Sequence, residues 1–152
     1  MTVIIRAALA TDAPAFAAAL RPADRLEAEA SGQPVLATIQ VGIGLSAQVF
    51  CAWDDDKPLA IWGYMQPSLL HDTAGVWLLT CTEIERHKVA FVRVARAQIA
   101  IWLAAGPTLA GMVDQRHATA MRWLARERFE FDAATVRLGP DRLPFLRFRR
   151  DA

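Results

Sequence analysis

The chain is short of several residues on which function is often built. It has two cysteines and one tyrosine, and its 17 basic side chains are matched by 16 acidic ones. The cysteines, Cys51 and Cys81, lie in the apolar runs "VFCAW" and "WLLTC", and neither has a second cysteine at metal-ligand spacing. They read as reduced, buried thiols, and neither a thiol nucleophile nor a metal site is expected. A net charge of +1 supplies no global field to draw in nucleic acid or a membrane surface. Nowhere do the roughly 18 consecutive apolar residues of a membrane span occur. The N-terminal "MTVIIRAALATDAP" has a charge inside a short apolar run and no cleavage-site pattern, so the expectation is a soluble, non-secreted protein.

What remains is enough for one well-cored domain. At 152 residues and 54% hydrophobic, a domain of this size buries roughly 70% of the surface that its unfolded form exposes. Val3 to Ala8 has the β-branched content of a strand. Thr11 and Asp12 are N-cap types and Pro14 suits a first turn, so "DAPAFAAAL" is a short helix. "RPADRLEAEASG" repeats the signal, with Leu26 and Ala30 on one face and Gly32 placed to end it. From Gln48 the period changes. "QVFCAW" and "PLAIWGYMQ" are strands of a hairpin around Asp54, Asp55 and Asp56, which read as solvated turn formers. "AGVWLLTC" is a third strand, apolar enough to be central.

A helix from about Glu83 to Ala104 follows, with Phe91, Ala95, Ile99 and Trp102 on one apolar face, and Gly106 and Pro107 stop it. Arg86, Arg93 and Arg96 form a loose basic stripe on another face. Then come a strand at Leu109 to Val113, a helix from about Arg116 to Arg128, and strands at Phe129 to Leu138 and Phe145 to Arg149. "GPDRLP" is the turn between the last two. The order β-α-α-β-β-β-α-β-α-β-β is that of an α+β, mixed-sheet single domain spanning residues 1–152.

This order is similar to the GNAT (GCN5-related N-acetyltransferase) fold. The strings "LRPADRLEAEASG", "VWLLTCTEIERHKVAF", "VDQRHATAMRWLARERFEF" and "PFLRF" resemble, in order and over nearly the whole chain, the GNAT-like proteins that short-tailed phages encode beside internal virion and assembly genes. The resemblance implies a GNAT-like scaffold with a virion structural or assembly role. Implied with it are a place in the virion and the host cytoplasm, partners among other virion or assembly proteins, and a possible homo-oligomer. A membrane is not implied, and nucleic acid is not an expected partner. Where that family shows Arg-Asn and Gly-Phe, this chain has Arg116-His117 and Arg128-Phe129.

An active GNAT enzyme would use acetyl-CoA, whereas the scaffold role needs no cofactor. The pyrophosphate cradle, Q/R-x-x-G-x-G/A, lets backbone N–H groups approach the phosphates at a helix start. Its counterpart here is "RHKVAF". Arg86 fits, but Val89 and Phe91 stand where small residues belong. Arg86, His87 and Lys88 are candidate phosphate contacts, and Thr80, Thr82 and Asp114 complete the candidate cofactor-binding set. The family's acid is commonly a tyrosine on the helix after the fifth strand, and no tyrosine lies there; Tyr64 is on an earlier strand. His117 is the candidate acid, histidine being the residue type suited to proton transfer near neutral pH, or else a structural residue at a helix start. Glu83 and Glu85 are candidate bases, although acidic residues in a first turn also suit the helix dipole. Asp114 is expected to cap the following helix.

Overall fold

The computed structural model describes residues 3–152, so the first two residues of the N-terminal run lie outside the described part. The elements, in chain order, are β1 (Val3–Ala7), α1 (Ala13–Ala19), α2 (Pro22–Glu29), α3 (Val35–Leu45), β2 (Gln48–Asp54), β3 (Lys57–Met65), β4 (Thr73–Thr80), α4 (Lys88–Ala104), β5 (Thr108–Asp114), α5 (Ala118–Arg126), β6 (Glu130–Phe131), β7 (Val136–Leu138) and β8 (Leu143–Arg150). The strands make one mixed sheet in the order β1-β2-β3-β4-β5-β8-β6, with β7 also on β8. All pairings are antiparallel except β4 with β5. The expected α+β class and chain order hold, with two additions among the described residues. A third helix, α3, precedes β2, and the stretch from Phe129 to Leu138 divides into β6 and β7.

Alternation along the strands gives each face of the sheet its own core. Ala60, Trp62, Leu109, Val113 and Phe148 pack with Ile99 and Trp102 of α4 and Leu124 of α5. Cys51, Ile61, Leu79 and Cys81 pack on the other face with Phe16 of α1, Ala28 of α2 and Ile39 of α3. Both thiols are buried and free, and burial pushes Cys81 up to about 12. Among the described residues no helix is long and apolar enough to cross a membrane.

Three details differ from expectation. In α2 the buried positions are Asp24 and Ala28, while Leu26 is 53% exposed, so the helix is rolled to put a carboxylate inward. Asp54 is not a solvated turn residue: it is buried and lies 3.0 Å from His87 Nε2, tying the β2–β3 hairpin to the segment after β4. The long helix begins only at Lys88, because Thr82–His87 winds as a separate 3-10 helix.

Candidate functional site

The site is built on a split in the sheet. β4 and β5 pair only over Thr73, Ala74 and Gly75 against Thr108, Leu109 and Ala110. Beyond these residues β4 continues on β3 to Thr80, and β5 continues on β8 to Asp114, without pairing to each other. Backbone groups along the parted edges are therefore left for another partner. The split opens into a cavity of about 950 Å³. Its wall on the α4–α5 face includes Trp62, Ile84 and Phe91, and on the α3 face Val41, Gly42 and Trp77.

At the wide end, α2 spans the two strand tips. The hydrogen bond from Arg21 N–H to the Thr80 carbonyl, at 3.0 Å, seats the start of α2 on the tip of β4. Asp24 then accepts from Thr80 N and Thr80 Oγ1, both at 3.0 Å. One helical turn later, Glu27 Oε2 accepts from Asp114 N at the tip of β5, at 3.3 Å. The two carboxylates thus hold together strands that do not bond each other. Burial alone would raise the Asp24 carboxyl, but hydrogen bonds from His117 and Thr80 and the charge of Arg21 bring it below its ordinary value. Glu27 has less compensation. Burial pushes it up to about 7, against the pull of the Asp114 N–H and of His117 and assisted by the charges of Asp24 and Asp114.

His117 completes this end. It is the N-cap of α5, and its Nδ1 accepts from Ala120 N at 3.3 Å. That bond assigns the ring hydrogen to Nε2, which lies 3.4 Å from Asp24 Oδ2. The cap is therefore His117 and not Asp114. Asp114 instead closes its own turn, accepting from Arg116 N at 2.9 Å and pairing with the Arg116 guanidinium at 2.7 Å.

At its outer end the cavity runs between α4 and α5, where Lys88, Arg93, Arg96, Arg122 and Arg126 line it. Arg96 is held by Glu127 through bonds of 3.1 and 2.8 Å, and Lys88 pairs with Glu85. Among the described residues Arg93, Arg122 and Arg126 have no carboxylate within ion-pair distance. No side chain caps α4, which runs on directly from the 3-10 helix Thr82–His87. Val89 stands 69% exposed at this end, whereas the Phe91 ring turns inward onto Trp62, centroids 5.8 Å apart.

The candidate residues are therefore dispersed. Thr80, Lys88 and His117 are on the cavity wall; Thr82, Glu83, Glu85, Arg86, His87 and Asp114 are not. Glu83 lies near Lys57 and Arg86 at 3.8 and 3.4 Å. Glu85 bridges Arg21 and Lys88, which hold its carboxyl below the ordinary range. His87 is buried against Asp54. Tyr64 is also buried, stacked 5.1 Å from Trp102, and is not on the wall. Asp24 and Glu27 were not among the sequence candidates. The available signal was their spacing of three, which places both on one face of a helix whose other buried position is only an alanine.

No protein-family model matches the chain, and no curated protein matches it. Solved structures do. An N-acetyltransferase from Staphylococcus aureus Mu50 superposes with a TM-score of 0.74 at 16% identity, covering 99% of each chain. An acetyltransferase of the GNAT family from Streptococcus pneumoniae gives 0.68 at 12% identity, covering 98% of each. The PaiA N-acetyltransferase from Thermoplasma acidophilum, solved in complex with coenzyme A, gives 0.67 at 10% identity, covering 99% of this chain and 100% of its own. At these identities the likeness shows the fold, and that fold is the GNAT fold.

Proposed function

We propose that the protein transfers an acyl group from a coenzyme A thioester to an amine, with Glu27 as general base. The observation that carries this is the β4–β5 split opening into a 950 Å³ cavity whose wide end holds a carboxyl with a pKa of about 7. The residues present fit the donor. Arg93, Arg122 and Arg126 suit its phosphates, and the parted strand edges suit an amide-bearing arm. The thioester supplies an activated acyl carbon. Glu27, whose Oε2 is held by Asp114 N and whose Oε1 has no hydrogen-bond partner among the described residues, takes a proton from the attacking nitrogen; a base poised near neutral pH is suited to this. A C–N bond forms, the C–S bond breaks, and the sulfur leaves as thiolate, to be protonated from solvent. Asp24 holds His117 and Thr80 in place. In this assignment Glu83 and Glu85 serve the 3-10 helix. Titration calorimetry with acetyl-CoA tests the reading: binding is expected, and no heat and no thermal shift at millimolar ligand would refute it.

A second reading is a GNAT-like protein of a phage, with a virion structural or assembly role and a degenerate cofactor site. Its supports are the string resemblance and Val89 in place of a small residue at the start of α4. The exposed Val3, Ile4 and Ile5 of the outer strand β1 also offer a surface for a virion partner or a second copy. Mass spectrometry of purified virions and assembly intermediates tests it, and absence of the chain from all of them would end it.

A further inference from the structure

We propose that the acyl group carried by the donor is a medium-length aliphatic chain rather than acetyl, and that its tail occupies the half of the cavity on the α3 face. This rests on the acyl-transfer reading above. An acetyl group extends only one methyl beyond the thioester carbon, whereas the cavity reaches through the sheet to Val41, Gly42, Met65, Trp77, Leu79 and Met112. The wall is open to solvent, Val41 being exposed, and apolar surface left in water is stabilised by a guest that covers it. The chemistry of this wall says which. None of these six residues carries a charge, and Trp77 Nε1 is already bonded to Ser46 Oγ at 2.9 Å; the polar lining residues of the same face, Arg21, Asp24, Glu27 and Thr38, are gathered at the α2 side, where Asp24 bonds Thr80, Glu27 bonds Asp114 N and Thr38 bonds the Ala28 carbonyl. A patch that offers no free hydrogen-bonding partner favours an apolar guest over ordered water.

The backbone is also shaped to make that wall. An added Cβ at Gly63 would come within 2.2 Å of Trp77 Nε1, and one at Gly42 within 3.0 Å of the Trp77 ring. Two glycines thus allow the indole to lie flat between β3 and α3, as an aromatic side to the space. The five cationic groups that α4 and α5 give to the wall belong to the other face of the sheet, and Arg21, the cation on the α2 side, is paired with Asp24 and Glu85. The two faces therefore sort an anionic carrier from an apolar tail along one continuous path through the split.

Titration calorimetry with coenzyme A, acetyl-CoA and octanoyl-CoA decides it. Tail burial strengthens binding by about tenfold for each pair of methylenes, so octanoyl-CoA is expected to bind at least a hundredfold more tightly than acetyl-CoA. Val41→Trp, on an exposed helical position, is expected to narrow that ratio by weakening octanoyl-CoA more than acetyl-CoA. Equal affinity for the two thioesters would overturn this inference and leave acetyl transfer standing. Absence of binding by all three would overturn both.

Discussion

Glu27 shows how far one side chain can be displaced by its surroundings. Its carboxyl ordinarily titrates at 4.5 and does so at about 7 in the fold, so the folded chain holds this proton more tightly than the unfolded one. The stability contributed by that proton is complete below about pH 4.5 and is lost as the pH rises to about 7. Glu27→Gln keeps the acceptor for Asp114 N and removes the titration. Melts at successive pH values should therefore show the wild type losing stability relative to the variant across that window, and parallel curves would sink the assignment. The same variant separates structure from catalysis. With a preferred thioester and an amine acceptor, its kcat/KM should fall roughly a hundredfold to ten-thousandfold, and the wild-type rate should climb with pH through about 7. At the neighbouring position, His117→Ala removes the acceptor of Ala120 N, a loss of about 1 kcal/mol for an N-cap, measurable by urea unfolding.

At the scale of elements, α2 acts as a brace across the gap between β4 and β5. Asp24 is buried and receives Thr80 N–H, Thr80 O–H and Arg21. Asp24→Ala should destabilise by about 3 kcal/mol, because it leaves the N–H and O–H of Thr80 and the buried His117 ring without their acceptor; an unchanged unfolding midpoint would show that the brace is idle. Gly63→Ala belongs to the same scale, since its new Cβ would meet the Trp77 indole, and overpacking of this kind costs about 1–3 kcal/mol. These features explain what could be read from the sequence. The β2–β3 hairpin was legible because the polar "DDDK" run sits between two apolar strands, and the end of α4 because Gly106 takes a positive φ of 101°. The helix α3 was not, since "VLATIQVGIGL" mixes β-branched residues with two glycines, of which Gly42 makes room for Trp77 rather than ending a helix. The inward roll of α2 was hidden for a related reason: periodicity points to Leu26, but the hydrogen bonds offered by Thr80 and Asp114 determine which face turns in. The strand split leaves no mark in side-chain alternation, because both strands keep a period of two while only their backbones diverge.

For the whole molecule, the cavity passes through the sheet between two faces that each carry a packed core. A ligand that enters only the folded chain adds stability by mass action, about 2.7 kcal/mol at a hundredfold excess over Kd. For a domain of this length that corresponds to a rise in Tm of roughly 5–10 °C. Coenzyme A should produce this rise, and the rise should shrink as salt increases, because Arg93, Arg122 and Arg126 are exposed and their attraction to phosphate is screened. Charge reversal distinguishes these arginines from their neighbour. Arg93→Glu and Arg122→Glu should leave the ligand-free Tm nearly unchanged while removing most of the ligand-induced shift. Arg96→Glu should instead lower the ligand-free Tm, since it sets a second carboxylate against the buried Glu127 that Arg96 now neutralises. A ligand-induced shift that survived reversal of both Arg93 and Arg122 would place the phosphates elsewhere and remove the α4–α5 groove from the donor's path.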